Sequence, residues 1–121
     1  MKAFTIASRP AGDKNNCTVY DLRGYIDAHT VIDFEKAIHD AIDSGLKCII
    51  LDISGLSYVS SAGIGAMMGL TRKLTQSGGD LVLMNPSPKV FAILDSLGFT
   101  RIFKIANDES SAVEMISPAA N

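Results

Sequence analysis

The sequence predicts a single α/β domain, a mixed sheet of about four or five strands covered by about four helices. Three observations lead there. The chain has 121 residues, the length of one ordinary domain. Its composition, 47% hydrophobic and 20% charged, is that of a folded globular protein rather than a disordered one. And short apolar runs alternate with amphipathic stretches in the order strand, strand, helix, strand, helix, strand, helix, strand, helix. Strand–helix–strand units impose parallel neighbours and right-handed crossovers, with helices covering the sheet.

The first element is Phe4 to Ser8, which alternates apolar and polar side chains as a half-buried strand does. Arg9 to Asn16 is a turn by composition. Cys17 to Arg23 alternates again, so the first two strands form a hairpin. Asp27 or Thr30 opens a helix whose apolar face is Phe34, Ala37, Ile38, Ala41 and Ile42, and Gly45 ends it. Cys48 to Leu51 is a continuous apolar run, the pattern of a strand covered on both faces. Ser60 to about Gln76 reads as a second helix, stopped by Gly78-Gly79. Leu81 to Met84 is another buried strand, closed by Asn85-Pro86. Pro88 suits a helix start, Val90, Ile93, Leu94 and Leu97 follow at helical spacing, and Gly98 caps them. Ile102, Phe103 and Ile105 indicate a short last strand, Asp108 to Ile116 a final helix, and the tail from about residue 117 is expected to fray.

Composition excludes several functions. Eleven Lys+Arg against 13 Asp+Glu give a net charge of −2, and the densest basic spot is Arg72-Lys73. With no Trp and few aromatics, neither a phosphate-binding patch nor a base-stacking platform is present, so no direct nucleic-acid binding is expected. The longest aliphatic runs, such as Cys48 to Leu51, fall far short of the roughly 20 residues of a membrane span. The apolar part of the N-terminus is too short for a signal peptide. A soluble, cytoplasmic protein without membrane insertion is the expectation. The two cysteines, Cys17 and Cys48, lie far apart in sequence. They read as unpaired thiols in a reducing compartment, and their number excludes a disulfide-stapled mini-fold and a CxxC zinc site. Neither usual nucleotide fingerprint occurs, Gly63-Ile64-Gly65 being only a fragment of one, and there is no Gly-x-Ser-x-Gly elbow. His29 and His39 share no helical stripe, and nothing in the spacing of Asp27, His29 and Ser61 requires a catalytic triad. The expectation is a chain without catalytic residues, metal or cofactor.

The informative segment runs from Leu51 to Gly65. A buried strand ends, a turn follows, and Ser60-Ser61 open a helix that carries Gly63 and Gly65 in its first turns. Each of those glycines costs about 1 kcal/mol relative to Ala. One reading is purely structural: Ser60 is the N-cap, Ser61 is tolerated, and the glycines allow close packing. The other is a phosphorylation switch. A phosphoserine carries nearly two negative charges and three acceptor oxygens, and the free N–H groups of a helix N-terminus stabilise it. Phosphate at Ser61 would then set a dianion on a docking surface of Ala62, Gly63 and Ile64.

The segment resembles the signature of the STAS domain family, specifically its bacterial anti-sigma factor antagonists. Their pattern is a buried strand ending in Asp, a turn, then Asp-Ser-Ser/Thr-Gly-Leu-Gly opening a helix. Here Leu51-Asp52-Ile53-Ser54 is followed by Ser60-Ser61-Ala62-Gly63-Ile64-Gly65. Gly24-Tyr25-Ile26-Asp27 resembles the Gly-x-Leu/Ile-Asp before the family's first helix. Ser60 departs from the pattern, since many of these antagonists carry Asp there. The resemblance implies a STAS fold over nearly the whole chain, and a binding module with no activity of its own. It implies that the unphosphorylated chain binds an anti-sigma factor, typically a serine kinase, and frees the sigma factor. Phosphorylation at Ser61, with Ser60 as runner-up, ends the interaction, and a serine phosphatase resets it. Asp27, Tyr58, Ser60, Ala62, Gly63 and Ile64 are the expected partner-binding residues, with Asp52 expected near Ser61. Met67 and Met68 read as core. The rival readings are a STAS module of another assembly, in lipid transport or stress sensing, and a small-molecule binder or enzyme using a pocket around Asp27 and Asp52.

Overall fold

A computed structural model describes residues 3–12 and 14–116; the tail expected to fray lies outside them. The elements are β1 (Phe4–Ala11), β2 (Lys14–Ile26), α1 (Val31–Asp43), β3 (Cys48–Val59), α2 (Ser61–Gln76), β4 (Asp80–Met84) and α3 (Pro88–Ser96). A 3-10 turn (Phe99–Arg101), β5 (Lys104–Ala106) and α4 (Glu109–Met115) complete the chain. The five strands form one mixed sheet in the order β1-β2-β3-β4-β5. β1 runs antiparallel to β2, and every later pair is parallel. The predicted α/β class, hairpin and element order all hold.

Topology decides the layers. The strands advance across the sheet in one direction, so right-handed crossovers send α1, α2 and α3 to the same face. The larger core lies there: Leu22, Ile26, Leu51 and Ile53 from the sheet meet Phe34 and Ile38 of α1, Ile64 and Met67 of α2, and Leu94 of α3. Phe4 closes its edge with an edge-to-face contact on Phe34, ring centroids 6.3 Å apart. The opposite face holds a smaller cluster in which Val19, Ile50, Val82 and Ala106 pack under Ala112 and Ile116 at the C-terminal helix. Residues 48 to 51 are buried because alternate side chains feed both clusters, as their unbroken apolar run predicts.

Three expectations are corrected. The predicted first turn begins too early: β1 continues through Arg9 and Pro10, paired with Val19 and Thr18. Pro10 is tolerated because β1 is an edge strand. β3 does not end near Leu51 but continues to Val59 along the long β2, with register shifts opposite Asp21/Arg23 and Gly24/Tyr25. Gly55, which reads as a turn residue, lies inside it, where a Cβ would come 2.8 Å from Arg23 Cγ. Finally, Cys17 and Cys48 are not free thiols. They are register partners on β2 and β3, with Cα atoms 4.5 Å apart, and are joined by a disulfide. Sequence distance hid a pairing that strand register creates.

Candidate functional site

The site forms where β2 and β3 end. β2 stops at Ile26 and β3 at Val59, register partners, and the Ser60 N–H donates to the Ile26 carbonyl at 2.8 Å. That bond sets the start of α2 beside the start of the β2–α1 loop, outside the carboxyl ends of parallel strands, where such folds place binding sites.

Ser60 is the N-cap of α2. Its backbone is extended (φ −84°, ψ 171°), and its Oγ accepts from the Gly63 N–H at 3.3 Å. Its carbonyl accepts from the Ile64 N–H at 2.9 Å. A capping hydroxyl is thus committed to the backbone. Ser61, the first helical residue, is exposed, and among the described residues its hydroxyl has no hydrogen-bond partner. The first turn of α2 contains no acidic residue, so no carboxylate on it offsets the positive end of the helix dipole. The arrangement can accept an anion on Ser61 without disturbing the cap.

Ala62 and Gly65 are exposed beside Ser61. Gly63 and Ile64 are not, and this corrects the surface expected of them. Ile64 is in the core, and a Cβ on Gly63 would lie 2.7 Å from Val59 Cγ2 and 2.8 Å from Ile26 Cγ2. Gly63 therefore lets α2 close onto the strand ends from inside. Its absent side chain serves the fold, and the exposed surface at the start of α2 is that of Ser61, Ala62 and Gly65.

Asp27 is brought next to Ser60 through Ile26, and it organises the loop before α1. Its Oδ1 accepts from the N–H of His29 (2.8 Å) and of Thr30 (3.0 Å), while Thr30 Oγ1 accepts from the Asp27 N–H at 2.9 Å. This reciprocal pair is a capping box with Thr30 in the place of the usual Glu. The backbone N–H bonds from Thr30 and then His29 hold the Asp27 carboxyl below its ordinary range. A lowered folded-state pKa means that the stabilisation is complete above the ordinary carboxylate pKa of about 3.9 and is lost as pH falls through the lowered value. The urea midpoint of the parent should therefore exceed that of Asp27→Asn by a constant margin at pH 5 to 7. The margin should shrink below about pH 4. A margin independent of pH down to 2 would show that the charge on Asp27 is irrelevant.

Asp52 does not join the site. β3 continues seven residues past it, roughly 20 Å of strand. Its Oδ1 accepts from the Ser54 N–H and hydroxyl at 3.1 and 2.8 Å. A pocket shared by Asp27 and Asp52 is excluded by that separation. Met67 is core as expected, whereas Met68 is half-buried and lines a groove with Arg72 and Ile102. His39 contacts Lys73 Nζ at 2.9 Å, and His29 contributes its backbone to the capping box.

Two exposed residues escaped the sequence reading. Tyr25 is the register partner of Tyr58, and the two are 39% and 43% exposed. Tyr25 occupies the variable place in Gly24-Tyr25-Ile26-Asp27, where the buried Ile26 drew the attention. Ile32 is 66% exposed, one residue off the stripe of α1, and a helical wheel would have singled it out.

The STAS domain family model matches residues 10–112, and the chain belongs to this family. It is 30% identical over 98 residues to BtrV of Bordetella bronchiseptica, named as a candidate anti-sigma factor antagonist; the match covers 81% of this chain and 84% of that one. It is 32% identical over 94 residues to the anti-sigma F factor antagonist of Lysinibacillus sphaericus, covering 77% and 80%. Among solved structures it resembles the anti-sigma factor antagonist SpoIIAA in its unphosphorylated form, with TM-score 0.74 and 27% identity over 91% of this chain and 95% of that one. The phosphorylated form of the Bacillus protein SpoIIAA gives TM-score 0.68 and 26% identity, covering 91% and 97%.

Proposed function

We propose that the chain is a cytoplasmic anti-sigma factor antagonist, a binding module without catalysis of its own, whose docking is switched off by phosphorylation of Ser61. The observation that carries this reading is the division of labour between the two serines. Ser60 Oγ is committed to the cap, and Ser61 Oγ is exposed and uncommitted at the start of α2. A phosphate on Ser61 is favoured by the free N–H groups of the first turn, so the modification leaves the fold in place and changes the surface. The named relatives, and the two phosphorylation states in which SpoIIAA is known, support the same reading. The partner is an anti-sigma factor that transfers phosphate from ATP to Ser61, and a serine phosphatase restores the docking form. The surface it meets is Ser61 and Ala62, flanked by Asp27, Tyr58 and the N-cap Ser60.

The test is phosphate incorporation by the anti-sigma factor kinase of the source cell. Ser61→Ala should accept no phosphate, keep its affinity for the kinase and melt with the parent, since Ser60 still caps α2. Ser60→Ala should still be phosphorylated but lose about 1 kcal/mol of stability with its cap. Labelling that persists in Ser61→Ala and vanishes in Ser60→Ala would move the acceptor to Ser60.

A further inference from the structure

We propose that Cys17 and Cys48 form a reversible thiol–disulfide couple that tunes the stability of the sheet, exchanging with low-molecular-weight thiols of the cell. The pairing follows from register. The two residues open the parallel β2–β3 ladder opposite one another, Cα atoms 4.5 Å apart, and are 1% and 0% exposed.

The bond lies outside the larger core. Neither cysteine belongs to the larger core, which carries the sheet, α1, α2 and α3. In the smaller cluster a free Cys packs as a small hydrophobe, so the dithiol form keeps the same neighbours. On the proposed function, on which this inference rests, the chain works in the reducing cytoplasm, where a disulfide of this kind is transient.

Both cysteines are buried, so the attacking thiol needs an opening at Cys17. Cys17 lines an open cavity of about 260 Å³ together with Ser8, Arg9, Pro10 and Thr18. Arg9 at its rim reaches Glu109, the first residue of α4, at 2.6 Å. An exposed pair of this sort contributes little, so the Arg9 side chain swings aside at small cost.

The exchange balances. A thiolate attacks Cys17 Sγ, the Cys17–Cys48 bond breaks, and Cys48 leaves as a thiolate and takes a proton. A second thiolate attacks the small-molecule sulfur of the mixed disulfide and releases Cys17, which is protonated in turn. Two thiols become one small disulfide, and the protein gains two electrons and two protons. The bond closes a segment of 31 residues, so reduction frees the unfolded chain and weakens the fold. The Ser61 end of the same ladder, Ile26 opposite Val59, lies roughly 30 Å away, beyond direct effect.

The test uses the native full chain, equilibrated without denaturant in millimolar reduced or oxidised glutathione. Each sample is then denatured in excess iodoacetamide and weighed. Two labels are expected after the reduced buffer and none after the oxidised one, with identical far-ultraviolet circular dichroism. The reduced form should melt cooperatively, about 10 °C below the oxidised form. The double variant Cys17→Ala/Cys48→Ala should melt at one temperature in both buffers. Two labels after both buffers, or glutathione adducts in place of the internal bond, would overturn the proposal. So would no label after either buffer, which makes the bond a fixed one, or a reduced form without a cooperative melt.

Discussion

Ser61→Asp should abolish docking while the domain stays folded. Ser61 is the first residue of α2, whose opening turn has no acidic side chain. A carboxylate there interacts favourably with the helix N-terminus, typically by about 0.3–1 kcal/mol. The Ser60 cap and the Gly63 contact beneath it are untouched. The variant should therefore melt at the temperature of the parent or slightly above. Binding responds to different physics. A charge in the middle of an interface must be stripped of water, and without a cation facing it that costs several kcal/mol. At about 1.4 kcal/mol per tenfold, the affinity for the anti-sigma factor should fall at least a hundredfold. Phosphate, with nearly twice the charge and three acceptor oxygens, should weaken it further. Calorimetric titration of the purified kinase, beside a thermal melt, separates the two effects. Undiminished affinity with an unchanged melt would put Ser61 outside the interface and return the weight to a STAS module of another assembly.

Gly63→Val should have the largest effect on stability. A Cβ at this position lies 2.7 Å from Val59 Cγ2 and 2.8 Å from Ile26 Cγ2, and valine adds two methyl groups beyond it. Both neighbours are buried at the ends of β2 and β3, with no room to withdraw. Overpacking of this kind costs about 3 kcal/mol, or tilts α2 away from the sheet. Gly65 is the contrast. A Cβ there meets nothing within 4 Å, so Gly65→Ala should raise stability by up to about 1 kcal/mol through helix propensity alone. Urea denaturation of the two variants should show midpoints displaced in opposite directions. Equal midpoints would remove the close-approach account of Gly63. The reading of both glycines as one class from the sequence is thereby divided: Gly63 serves the packing of α2, and Gly65 leaves the exposed surface beside Ser61 small.

What the sequence determined by itself is local or periodic. The N-cap of α2 is there, with Ser60 accepting from the Gly63 N–H, and so is the start of α3 at Pro88. So are the apolar stripe of α1, the buried runs of β3 and β4, and the order of elements that leads to parallel strands. These depend on residues within a few positions of one another, where backbone hydrogen bonding and helical or strand periodicity act directly. The place of Ser61 at the helix start was legible for the same reason, as a second serine just past a capping one. What only the tertiary structure decided depends on register between distant segments. The reach of β3 from Leu51 to Val59 is held by its ladder with β2, against the turn-like composition of Ser54-Gly55. The same ladder carries Asp52 away from Ser61, sets Tyr25 beside Tyr58, and brings Cys17 opposite Cys48. Strand pairing joins residues about 30 positions apart, and no local pattern encodes which residue will face which.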